Sequence, residues 1–72
     1  YVRKVIERTL AHKASGFLLA HNHPSGDPTP SSDDRDLTQA LKAAAETVGV
    51  RFLDHLVIGE TDPFSFKASG LL

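Results

Sequence analysis

The chain has 72 residues, with eight Lys and Arg against nine Asp and Glu, and its formal charge of −1 lacks the basic footprint of a protein that grips a nucleic-acid backbone. It contains no cysteine, which removes disulfides, thiolate metal sites and cysteine nucleophiles together and leaves nitrogen and oxygen as the available metal ligands. A single small domain spanning residues 1–72 buries only a thin core, about 60% of its unfolded surface at this size, so packing needs help from a metal or a partner.

From Val2, the apolar positions Val5, Ile6 and Leu10 recur at helical spacing with Arg3, Lys4, Glu7 and Arg8 opposite, which predicts an amphipathic helix running to near Gly16. His12 falls near its end, where an imidazole complements the helix dipole, and is expected at the surface. Phe17 to His23 is apolar without alternation at first, as in a short strand covered on both faces. Pro24 stops that strand, and Pro24 to Ser32 is a loop by chemistry, with Pro24, Ser25 and Gly26 shaping a turn and Gly26 free to take positive φ.

Beyond the loop, Leu37, Ala40, Leu41, Ala44 and Val48 form a helical stripe that closes at Gly49, and Ser31, Ser32, Asp33 and Asp34 supply capping oxygens and negative charge at its start. Val50 to Ile58 reads as a second strand and Phe64 to Lys67 as a third, with Gly59 to Pro63 as the turn between them. The order helix, strand, helix, strand, strand predicts an α/β (α+β) domain with a mixed sheet flanked by helices and no internal repeat. No apolar run approaches the roughly 18 residues that span a bilayer, and the first residues lack a signal-peptide layout, so a soluble, cytoplasmic protein is expected.

His21 and His23 stand one residue apart on a strand and share a face, because side chains alternate with period two. Asp34, in the first turn of the following helix, is returned toward that strand end by the loop. Two imidazoles and one carboxylate are a ligand set for Zn2+ that leaves a coordination position open for water, as catalytic sites do and closed structural sites do not. The alternatives are ordinary: a solvated pair of histidines at a strand end, and a capping box in which Ser31 and Asp34 serve the helix, a role compatible with metal ligation by Asp34. Asp54 and His55, the pair in the run LDHL, read as ordinary strand polarity, the alternative for the pair being a contact to a ligand imidazole.

The string HNHPSGDPTPSSDD resembles the JAMM (MPN-plus) metalloprotease motif, His-x-His-Pro followed by Ser-x-x-Asp, and in particular its RadC-like branch. The resemblance covers essentially the whole chain, through GFLLAHNHPSG, LDHLVIG and FSFKASGLL in family order. It implies a mixed sheet similar to that of cytidine deaminases, zinc ligation by His21, His23 and Asp34, stabilisation of a tetrahedral oxyanion by Ser31, and a peptide or protein substrate. It also implies a general-base Glu on a strand upstream of the first helix. Glu7, Glu46 and Glu60 do not match that position, so the expectation is a domain truncated at its N-terminus, with an exposed sheet edge open to self-association.

Three other functions compete. A scaffold domain, metal-binding or not, is compatible with the missing Glu. A DNA-repair role follows from the label attached to RadC-like proteins but gains no support from the charge. A His-Asn-His nuclease is a coincidence of letters, since that motif is dispersed, and zinc deaminases require His-x-Glu and a Cys-x-x-Cys segment that are absent here.

Overall fold

A computed structural model describes residues 1–72. Helix α1 spans Val2–Ala11, strand β1 Gly16–Asn22, helix α2 Ser32–Val48, strand β2 Arg51–Ile58 and strand β3 Phe64–Ser65. The sheet order is β1-β2-β3, with β1 parallel to β2 and β3 antiparallel to it, so the predicted mixed α+β architecture holds. Helix α1 packs on α2, and α2 packs on β2. No helix is long and apolar enough to cross a membrane.

Helix α1 ends well before Gly16, the boundary the sequence pattern predicts. Lys13 takes the left-handed conformation at φ 52°, and the amides of Lys13 and Ala14 return to the carbonyls of Leu10 and Thr9, the paired bonds of a Schellman ending. Gly16 instead opens the strand. A Cβ there would lie 3.0 Å from the Arg51 carbonyl oxygen, so the glycine lets β1 start close against β2. Leu10, expected on the apolar stripe, is exposed, and Thr9 is the buried residue of this helix.

The expectation that β1 is covered on both faces is also corrected. Leu19 is buried, while Leu18 and Ala20 are exposed, because helix α2 shields one side of a three-strand sheet and no element covers the other. The buried face of α2 is likewise rotated from the predicted stripe. Asp34, Thr38, Leu41 and Ala45 are buried at i, i+4, i+7 and i+11, whereas Ala40 and Val48 are exposed. This face carries two polar residues among its four, and it is the face that brings Asp34 toward β1. The core gathers Leu19, Leu41, Ala45, Val50, Val57 and Phe66.

The pairing of β1 with β2 contains one irregularity. Phe17 lies opposite Phe52, with the rings stacked at a centroid distance of 4.8 Å, but Leu18 then lies opposite Asp54. Leu53 has no partner, and beyond this bulge Leu19 faces His55 and His21 faces Val57. Strict alternation from Phe52 would have put His55 on the opposite side from His21; the extra residue places it on the same side.

Candidate metal centre

The site forms where the C-terminal end of β1 meets the N-terminal end of α2. His21 and His23 project from alternate positions at the strand end, and Asp34 is the third residue of α2. The Asp34 carboxylate lies between the two rings, with Oδ1 3.0 Å from His21 Nε2 and Oδ2 2.9 Å from His23 Nε2.

Asp34 is held by the helix start. Ser31, the N-cap residue, accepts the Asp34 amide through its hydroxyl at 3.1 Å and donates its own amide to Asp34 Oδ2 at 2.8 Å, a reciprocal capping box with Asp in place of the usual Glu. Capping and the positioning of a candidate ligand therefore coincide in one carboxylate. Burial pushes the Asp34 carboxyl up, but hydrogen bonds from the Ser31 amide and hydroxyl, the His23 ring and the nearby His21 outweigh it and hold the group below its ordinary value. It is ionised at neutral pH, as a ligand must be.

Each histidine is fixed from behind. His23 Nδ1 is 2.9 Å from the Asp27 carbonyl, which can only accept, so the Nδ1 proton is committed to the loop and Nε2 is the nitrogen presented to the site. The loop conformation that supplies this carbonyl depends on Gly26, at φ 82°, whose carbonyl accepts the Glu60 amide at 2.7 Å. His21 Nδ1 is 2.9 Å from Nε2 of His55. His55 is thus not ordinary strand polarity but the buried neighbour of a candidate ligand, and the alternative reading of LDHL is the one the fold realises. The sequence signal for it is faint, a single histidine in an apolar strand. Asp54 serves elsewhere, accepting from the Ser65 hydroxyl at 2.6 Å and the Lys67 amide at 3.0 Å to tie β3 to β2.

His21, His23 and Asp34 are a group whose ligand atoms all lie within 4.8 Å of one another. A four-coordinate zinc ion with bonds of about 2.0–2.2 Å keeps its ligand atoms roughly 3.3–3.5 Å apart, a spacing bracketed by these separations. Nitrogen and carboxylate oxygen, with both Nδ1 atoms engaged away from the site, are donors suited to such an ion. No glutamate belongs to the group. Beside it lies an open cleft of about 420 Å³ lined by Tyr1, His21, Asp33, Asp34 and Leu37. The Ser31 side chain is exposed, and its Oγ accepts the Asp34 amide. His12, as expected, is exposed at the end of α1.

A family model described as the RadC-like JAB domain matches residues 1–71. A UPF0758 protein of Stenotrophomonas maltophilia is 53% identical over all 72 residues, and UPF0758 proteins of Burkholderia cenocepacia and Rhodobacter capsulatus are 50% and 51% identical over the same span. The chain covers 31%, 28% and 34% of the length of these three relatives respectively, about a third of each. With the family model matching almost every residue and relatives half identical over the whole chain, the chain belongs to the RadC-like JAB domain family.

Proposed function

We propose that this domain is the metal-binding part of a zinc-dependent hydrolase that cleaves peptide or isopeptide bonds. The observation that carries the reading is the convergence of His21, His23 and Asp34 with both imidazole Nδ1 atoms engaged elsewhere, which leaves two Nε2 atoms and a carboxylate facing one point. When bound, zinc supplies an acidified water and polarises the carbonyl under attack.

In this reading, His21 and His23 hold the ion through Nε2, and Asp34 completes the set while keeping the helix start in place. The open cleft along Tyr1 and Leu37 receives the extended substrate. Ser31 donates its hydroxyl proton to the oxygen that gains charge; such a donor is worth about 10²–10³ in kcat. The test is elemental analysis of purified protein, with one zinc per chain expected, together with chelator-sensitive cleavage of peptide and isopeptide substrates. Protein that takes up no zinc refutes the reading.

One observation favours a second reading, a metal-binding scaffold. No carboxylate besides Asp34 stands in the ligand group, so the general-base contribution of about 10²–10⁴ has no source among these residues. Stoichiometric zinc without cleavage supports this reading. Self-association through the outer edge of β1, which has no partner strand, belongs with it; sedimentation showing a strict monomer at rising concentration counts against that part.

A further inference from the structure

Thr38 and His55 are fully buried side chains that offer no atom to the metal group, yet they join its two halves. Their hydrogen atoms can be placed by elimination. A threonine hydroxyl has one proton. Thr38 Oγ1 lies 2.8 Å from the Asp34 main-chain carbonyl, which can only accept, so that proton is spent there. The same Oγ1 lies 2.6 Å from His55 Nδ1 and must therefore accept from it.

His55 is 0% exposed and stacked on Phe66 with ring centroids 4.5 Å apart and planes within 4°, an apolar setting that favours the neutral ring. With its proton on Nδ1, the lone pair is on Nε2, 2.9 Å from His21 Nδ1. His21 must then donate from Nδ1, which leaves Nε2, the atom 3.0 Å from Asp34 Oδ1, as the nitrogen turned toward the metal group. Reversing the Thr38–His55 bond would set the lone pairs of Thr38 Oγ1 against those of the Asp34 carbonyl inside the core.

We infer that Thr38 and His55 are positioning residues that hold a proton on His21 Nδ1, through a directed chain running from the Asp34 carbonyl to Thr38, His55 and His21 Nδ1, so that Nε2 is the nitrogen offered to a cation. Asp34 thus contributes twice: its carboxylate is a ligand and its carbonyl orients the opposite ligand. The consequence for metal affinity rests on the metal reading above; the hydrogen-bond direction does not.

Two substitutions separate the hydroxyl from the bulk. Thr38→Val keeps the volume and loses the oxygen, while Thr38→Ser keeps the oxygen and loses a methyl. Zinc affinity, measured by competition with a chromogenic chelator, is expected to fall about 10- to 100-fold in Thr38→Val and to stay close to wild type in Thr38→Ser. The opposite order, or equal losses, overturns the inference in favour of simple packing.

The second readout needs no metal and no variant. Proton–nitrogen NMR correlations of the histidine rings in the metal-free wild-type protein are expected to show His55 protonated on Nδ1 and bare on Nε2. A His55 ring protonated on Nε2 overturns the inference. The expected ring pattern in a protein that binds no zinc removes the metal reading and leaves the chain of hydrogen bonds standing.

Discussion

His23→Ala removes a candidate ligand that has no part in the helix cap, so its effect on zinc-dependent stability can be separated from its effect on folding. Without zinc, the substitution deletes the bonds to the Asp27 carbonyl and the Asp34 carboxylate, each 2.9 Å, from a side chain 18% exposed, a loss of about 1–3 kcal/mol. Each protein must therefore be compared with itself. At free zinc a hundredfold above Kd, the wild type gains about 2.7 kcal/mol, which for a domain of this size is roughly 11–22 °C in Tm. Losing a direct ligand should cost at least the roughly hundredfold typical of losing an outer partner, and the same zinc concentration then adds only about 0.4 kcal/mol. Thermal melts with zinc and with chelator read both values. Equal zinc-induced shifts in the two proteins would show that His23 is not a ligand.

Ser31→Ala should cost about 1 kcal/mol through loss of the cap to the Asp34 amide, while zinc affinity changes little; a large drop in affinity would make Ser31 a ligand or a major support of Asp34. In Gly59→Ala, the new Cβ would sit 2.2 Å from the Gly26 carbonyl oxygen, backbone against side chain, so a loss of roughly 1–3 kcal/mol is expected together with displacement of the loop that holds His23, and a wild-type melting curve refutes it. Burial raises the Asp54 carboxyl, but the Ser65 hydroxyl, the Lys67 and His55 amides and the Lys67 charge hold it below its ordinary value of 3.8. A depressed carboxyl stabilises fully above 3.8 and stops doing so as pH falls through its lower folded value, so Asp54→Asn should lose about 1–2 kcal/mol at neutral pH and lose less further stability on acidification below 3.8, as urea titrations across pH can check.

The elements and the three candidate ligands are legible in the sequence because each rests on local rules. Pro24 ends β1, Ser31 begins α2 and Gly49 closes it at φ 73°, and period two places His21 and His23 together. The features that pattern alone misplaces all depend on tertiary neighbours. The end of α1 at Ala11 is set by Lys13, a left-handed residue just beyond it that composition does not flag. Apolar letters place the buried face of α2 partly to one side, since the residues turned inward include Asp34 and Thr38 beside Leu41, and their polar atoms find partners only in the assembled fold. The role of His55 is hidden because alternation counted from Phe52 aims it away from His21, and only the unpaired Leu53 brings it back.

That unpaired residue also isolates the chemistry from variation in chain length. Leu53, 41% exposed, sits upstream of the segment in which His55 and Val57 meet Leu19 and His21. Deleting it leaves a regular ladder in which every later residue keeps its neighbour, so β2 carries its slack where a missing codon does least harm. A Leu53 deletion that retains wild-type zinc affinity is the expected signature, and one that abolishes it would mean the kink itself shapes the centre.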